Sequence, residues 1–131
     1  MPEVWSAPVR FAECDQQGVV FNGHYLTWAD EAVAAWWRSV GLPFAEVGVE
    51  QLVKAAQLEW HSPAVHGDTV TVDADLDRLG RTSLTVALTV RVGERVSCRV
   101  RMTYVAVADG VAVPWPDAVR ALLTTSELSA G

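Results

Sequence analysis

The longest amphipathic pattern in the chain starts at Tyr25. Tyr25, Trp28, Ala29, Ala32, Val33, Trp36 and Val40 recur at i, i+3, i+4 and i+7, the spacing that puts one apolar stripe of an α-helix against a partner layer. Gly41 and Pro43 predict where this helix stops, because glycine accepts the left-handed C-terminal conformation and proline cannot extend the hydrogen-bond ladder. Asn22 is the expected N-cap, its side-chain oxygen accepting an otherwise unpaired amide of the first turn.

Past the helix the apolar period drops to two. In "TVTVDADLD", residues 69–77, Val70, Val72, Ala74 and Leu76 alternate with polar positions, and Leu84, Val86, Leu88, Val90 and Val92 repeat the pattern. A third run sets Val96, Cys98, Val100, Met102 and Tyr104 on one side and Ser97, Arg99, Arg101 and Thr103 on the other. Such alternation predicts strands with one buried and one wet face. Gly93-Glu94 suits a two-residue type II′ hairpin, which makes the last two runs antiparallel neighbours. Further strands are expected over Trp5 to Phe11 and over residues 50–61, a turn at Asp109-Gly110, and a short final helix from Pro114 to Leu123 with Pro116 in its first turn. A strand, one long helix and a run of antiparallel strands give an α+β layout in which the sheet covers the helix, with Trp28 and Trp36 as its anchors.

Bulk properties narrow the possible roles. A length of 131 residues predicts one domain over 1–131, large enough for its own core. With 10 Lys and Arg against 16 Asp and Glu, the formal net charge of −6 argues against a general nucleic-acid binder. Apolar runs are too short for a membrane-spanning helix and the N-terminus has no signal-peptide layout, so the expected location is the cytoplasm. Cys14 and Cys98 are too few for a disulfide framework and are expected as free thiols. His61, His66 and Asp68 do not have the spacing of a metal-ligand motif, so no metal is expected.

Candidate chemistry concentrates in "CDQQGVVFNGHY", residues 14–25, where an acid, two amides, a glycine, an asparagine and a histidine empty into the helix start. Taken alone, Asp15 is a turn or cap aspartate and Gly18 marks positive φ or a close backbone approach. Tyr25 belongs to the apolar face, its hydroxyl reaching a loop backbone group. His24 reads as a first-turn histidine, and Asp30, within the helix, as structural.

The order of elements, with "ECDQQGVVFNGHYLTWADEA" leading into the helix, resembles the hotdog-fold acyl-CoA thioesterases, in particular the 4-hydroxybenzoyl-CoA thioesterase-like subfamily. Asp15, Gly18, Val19, Val20, Tyr25 and Asp30 fall on its Asp-x-x-Gly-(Val/Ile)-Val…Tyr…(Asp/Glu) pattern, "EWHSPAVHGDTVTV" is similar to its second and third strands, and "RTSL", residues 81–84, to its coenzyme A segment. The resemblance runs from about residue 8 to about residue 123.

It implies a hotdog fold, a curved antiparallel sheet wrapped around one long central helix. It also implies homodimers or homotetramers with sites at the subunit interface and an acyl-CoA substrate, with no separate cofactor. Asp15 is then a buried catalytic carboxylate, acting as nucleophile or as general base on water. Gly18 and Asn22 belong to the same catalytic loop, and amides near Asn22 receive the carbonyl oxygen. Val19, His24 and Tyr25 lie against substrate, and Arg81 and Ser83 contact coenzyme A phosphate, with Arg78 as an accessory. Asn22 stands where relatives carry histidine, tyrosine or asparagine, and its amide cannot shuttle a proton at neutral pH. The competing functions are a hotdog-type hydratase or dehydratase, whose Asp-x-Asn-Pro-x-His motif is not reproduced here, and a non-catalytic acyl-CoA binding module.

Overall fold

A computed structural model describes residues 2–41 and 48–130, the last six as helix backbone only; Pro43, the expected helix stop, lies outside the described residues. The elements in chain order are β1 (Glu3–Pro8), a 3-10 turn (Phe11–Glu13), α1 (Asn22–Ser39), β2 (Glu50–Trp60), β3 (Thr69–Leu79), β4 (Ser83–Val92), β5 (Arg95–Ala108), β6 (Val111–Ala112) and α2 (Asp117–Ala130). One antiparallel sheet runs β1-β3-β4-β5-β2, with β6 hydrogen-bonded to β5.

The alternating runs are the reason for this sheet. Val70, Val72 and Ala74 of β3, Leu84, Val86, Leu88 and Val90 of β4, and Cys98, Val100, Met102, Tyr104 and Ala106 of β5 are all buried on one face. They form a single core with Tyr25, Trp28, Ala29, Ala32, Val33, Trp36 and Trp37 of α1. Trp37 widens the expected stripe by one position, and its indole N–H donates to Gln51 Oε1 at 2.8 Å. Both turn chemistries are as the residues dictate. Val92 pairs with Arg95 across Gly93-Glu94, with Gly93 at φ +59° and Glu94 outside the positive-φ set, the signature of type II′. Asp109 and Gly110 both have positive φ, at 52° and 77°, the I′ counterpart between β5 and β6.

Several expectations are corrected. The first strand ends at Pro8, and Phe11–Glu13 tighten into a 3-10 turn closed by Glu13 N–H to Arg10 O at 3.0 Å and Cys14 N–H to Phe11 O at 3.1 Å. The final helix, expected over Pro114 to Leu123 with Pro116 in its first turn, is α2, which begins one residue after Pro116 and runs 14 residues, with Val119 and Leu123 in the same core as α1. Ser97, expected on the wet face, is fully buried. Its position follows from a bulge: Val90 pairs with Cys98 and Arg91 with Val96, so Ser97 is the extra residue that the ladder leaves over.

Asp30 reaches across from α1 to take the Tyr104 hydroxyl at 2.9 Å. Burial, and then this hydrogen bond, push the Tyr104 phenol well above its ordinary range, so it stays a neutral donor. Burial likewise pushes the Cys98 thiol up to about 11, which leaves it as inert packing.

Trp36→Ala removes a side chain that α1 seats in this core. It is expected to cost about 3–5 kcal/mol in a urea titration; a loss under roughly 1 kcal/mol, the level of an ordinary surface change, would contradict its role as an anchor.

Candidate active site

The polar segment is a tight hairpin. Cys14 and Val20 face each other as an antiparallel bridge, the Asp15 amide donates to Val19 O at 2.8 Å, and the Gly18 amide donates to Asp15 O at 3.0 Å. Aspartate opens the turn because its Oδ1 also accepts the Gln17 amide at 2.8 Å. Glycine closes it because residue 18 sits at φ +79° with open space where a Cβ would be, so positive φ, and not crowding, is the requirement. Asp15 is solvent-exposed in the single chain, not buried as expected. Its Oδ2 has no hydrogen-bond partner among the described residues.

The hairpin leads directly into α1. Phe21, with extended φ −61° and ψ 136°, is the N-cap, and Asn22 is already the first helical residue. Asn22 therefore does not cap the helix as expected, and it stands at the rim of an adjoining cavity. His24 donates its amide to Phe21 O at 3.0 Å and its ring lies edge-on to Phe21. The amides of Asn22 and Gly23, at the helix start, are left without an intrahelical acceptor.

Beside this helix start is a cavity of about 260 Å³ lined by Val19, Val20, Asn22, Tyr25, Trp60, His61, Ser62 and Pro63. Its wall is braced by buried hydroxyls. Ser97 Oγ donates to Ser62 O at 2.6 Å, which leaves the Tyr25 hydroxyl to donate to Ser97 Oγ at 2.9 Å while accepting the Ala64 amide at 3.1 Å. Every member of that chain is satisfied, so Tyr25 is held rigidly. Ser97 escaped the sequence reading because only the bulge turns it inward.

Glu13 escaped it too. The residue is 5% exposed, and its carboxylate accepts the Arg10 amide at 2.7 Å and the Trp28 indole N–H at 3.0 Å, with the Arg10 guanidinium at 3.5 Å. Burial alone would push this carboxyl up. The Arg10 and Trp28 hydrogen bonds, with the Arg10 charge, outweigh it and hold the group below the usual carboxylate range.

Asp15, Gly18, Val19, Asn22, His24 and Tyr25 are thus gathered at one place. Arg81 and Ser83 are not with them. They belong to the turn between β3 and β4, closed by the Gly80 amide on Ser83 O at 2.8 Å, where a Cβ on Gly80 would come within 3.2 Å of that oxygen. Arg78 and Arg81 are exposed there, and Arg120 of α2 donates to Gly80 O at 2.8 Å. The acid hairpin adjoins the other end of β3: Pro8 pairs with Thr69, and Val19 bridges to Val65. The 11 residues of β3, about 33 Å of extended chain, run between the two groups. His61, His66 and Asp68 each have a different neighbour: Glu59 at 3.0 Å, the Phe11 ring, and the Val65 amide at 2.9 Å.

The family model of the thioesterase superfamily matches residues 17–99. The chain belongs to the thioesterase superfamily. This thioesterase is 31% identical over 88 residues to an Aquifex aeolicus protein named provisionally as an esterase, a match spanning 65% of this chain and 69% of that one. Among solved structures, a Thermus thermophilus thioesterase complexed with coenzyme A and Zn is 25% identical, with a TM-score of 0.87 over 96% of this chain and 94% of that one. The 1,4-dihydroxy-2-naphthoyl-CoA thioesterase of Synechocystis shares the fold at 19% identity, with a TM-score of 0.81 over 92% and 93% of the two chains. The protein is a thioester hydrolase built on the hotdog fold.

The lowered Glu13 pKa makes a stability prediction for this thioesterase. A carboxyl that ionises more easily folded than unfolded contributes fully above its unfolded pKa, and the contribution disappears as pH falls through the folded value. Urea midpoints measured from neutral to acidic pH are expected to fall more steeply for the native protein than for Glu13→Gln. Parallel curves would show that the carboxylate carries no such linkage.

Proposed function

We propose that this thioesterase hydrolyses an acyl- or aryl-CoA thioester to the free acid and coenzyme A, in a homodimer whose two sites each draw on both chains. The observation that carries this reading is the placement of the acid hairpin and the Arg81 turn at opposite ends of β3, too far apart for one coenzyme A arm to bridge within a single chain. A second chain removes the difficulty. β2 is an edge strand with Leu52, Val53 and Trp60 exposed at 53%, 50% and 49%, an open template for pairing. Ser83, Val105 and Leu52 lie on one rung across β4, β5 and β2. Antiparallel pairing of two β2 edges about a two-fold axis sets the Glu50 end of one against the Trp60 end of the other. That rung then continues toward the partner's Trp60, a wall of the partner's cavity. Such a dimer, alone or doubled into a tetramer, is the expected assembly.

In the proposed reaction the thioester carbonyl lies beside the first turn of α1, where the Asn22 and Gly23 amides and the helix dipole favour negative charge on its oxygen. The unpartnered Asp15 oxygen takes a proton from water as the water oxygen bonds to the carbonyl carbon; direct attack by the carboxylate is the other route. Collapse breaks the carbon–sulfur bond and releases coenzyme A. A thiolate is a far weaker base than an alkoxide and leaves without a dedicated acid, which suits a site where Asn22 holds the position of a second ionisable group. Gly18 and Val19 shape the hairpin, His24 and Tyr25 flank the acyl group, and the partner's Arg81 and Ser83 hold phosphate through charge-assisted hydrogen bonds, assisted by Arg78. A local basic patch of this kind reconciles an acidic chain with an anionic substrate. No cofactor enters the scheme, and the reading is of a cytoplasmic enzyme; among the described residues no helix is long and apolar enough to cross a membrane.

Asp15→Asn is expected to lower turnover by at least about 100-fold in a thiol-release assay across aryl- and fatty acyl-CoA substrates, with folding intact. Near-normal hydrolysis by the variant would remove Asp15 from its role. Loss of the conjugated double bond from an enoyl-CoA, or saturable binding without turnover across the panel, would point instead to a hydratase or to a binding module.

A further inference from the structure

The acid hairpin has no core of its own. Residues 15–18 are all exposed, and what fixes them in space is the attachment of their two ends. The second arm is held by the Val19–Val65 bridge and by the Val20 amide on Ala64 O at 2.9 Å, while Glu13 ties the hairpin base to α1. The main-chain oxygen of Glu13 accepts the Phe21 amide at 2.9 Å, closing the base of the hairpin where α1 begins. The side chain of Glu13 then reaches α1 itself, with Oε2 on the Trp28 indole N–H at 3.0 Å and Oε1 on the Arg10 amide at 2.7 Å. Trp28 is 3% exposed and packs edge-on against Tyr25, the residue whose hydroxyl braces the cavity wall. A carboxylate this buried persists only because donors surround it, and here the donors come from the strand exit on one side and the central helix on the other.

We propose that Glu13 is the positioning residue of the active site, its carboxylate clamping the Asp15 hairpin onto α1 through the Trp28 indole. The inference rests on the assignment of Asp15 as the catalytic carboxylate. Glu13 touches no substrate. It sets the height and angle at which Asp15 meets a carbonyl held at the first turn of the same helix. The tie acts over a short lever, because Asp15 is two residues from Glu13, and Trp28 is on the helix that supplies the oxyanion amides. Displacement of a reacting group by about 1 Å is enough to cost on the order of 100-fold in rate.

Two variants of the full chain test it. Glu13→Gln keeps the size of the side chain but replaces one acceptor oxygen with a donor, so the Arg10 amide and the Trp28 indole cannot both be taken. Trp28→Phe deletes the indole N–H and keeps an aromatic ring in the core. For each, and for the double variant, kcat and KM are measured on an acyl-CoA that the native protein turns over, alongside thermal unfolding and hydrogen exchange of the Asp15 and Gly18 amides. The expected result is a kcat lower by about 10- to 100-fold with KM near its native value, faster exchange at both amides, and a double variant no slower than the worse single one.

A folded Glu13→Gln protein with native kcat overturns the proposal, as does a change confined to KM or to the unfolding temperature. Should Glu13→Gln fail to fold, a folded Trp28→Phe protein with native kcat overturns it equally. A native protein without hydrolysis, or an Asp15→Asn variant with native turnover, would defeat the functional assignment instead. The exchange measurement still decides whether Glu13 holds the hairpin.

Discussion

The length of β3 sets how far apart the acid hairpin and the Arg81 turn stand. Eleven extended residues hold the acid hairpin and the Arg81 turn at opposite ends of one sheet, and no side-chain rearrangement can span a strand about 33 Å long. The sheet cannot fold back on itself either, since β3, β4 and β5 are paired along their length with one bulge in each pairing, and their inward faces are filled by α1. An unpaired β2 with exposed apolar side chains is the feature of the fold that offers a remedy, by joining two sheets end for end. In the account proposed here, the dimer is what brings acid and anion-binding turn to the same ligand.

Within one chain the hairpin and the cavity beside it are framed by polar groups placed where the core would ordinarily exclude them. Glu13 and Ser97 are both buried, and each connects elements far apart in sequence: Glu13 with Trp28, Ser97 with Tyr25 and Ser62. Such groups are tolerated because each hydrogen-bonding capacity is met. The outcome is a stiff frame around an exposed turn. Asp15 itself is held by local means, its own carboxylate on the Gln17 amide and a glycine with positive φ closing the turn, so the frame governs where the turn sits and the turn governs which carboxylate oxygen faces outward.

The fold was largely legible in the sequence because period-two and period-3.6 runs are long and uninterrupted. Val70 to Ala74, Leu84 to Val90 and Cys98 to Tyr104 each state their buried face directly, and Tyr25 to Trp36 state the helix that covers them. Local turn chemistry was legible as well: Gly93-Glu94, Asp109-Gly110 and Gly18 all adopt the conformations their residue types favour. What stayed hidden are features decided by tertiary structure. A bulge moves Ser97 from the wet face to the interior, an extended Phe21 displaces Asn22 from the cap, and the partnership of Glu13 with Trp28 crosses 15 positions without any spacing rule to announce it. The opposition of Asp15 and Arg81 across the sheet is likewise a consequence of strand pairing, which adjacency in a motif cannot reveal.

The shared site is tested most directly by complementation between two crippled chains. Asp15→Asn homodimers lack the acid in both sites and Arg81→Ala homodimers lack the phosphate contact in both. Unfolded together at equal amounts and refolded, half of the dimers pair one chain of each kind, and every such dimer regains one intact site if Asp15 and Arg81 come from opposite chains. Recovery of about a quarter of native kcat/KM is expected at subsaturating acyl-CoA, the statistical limit for an isologous dimer. Activity no higher than the mean of the two separate variants would contradict it.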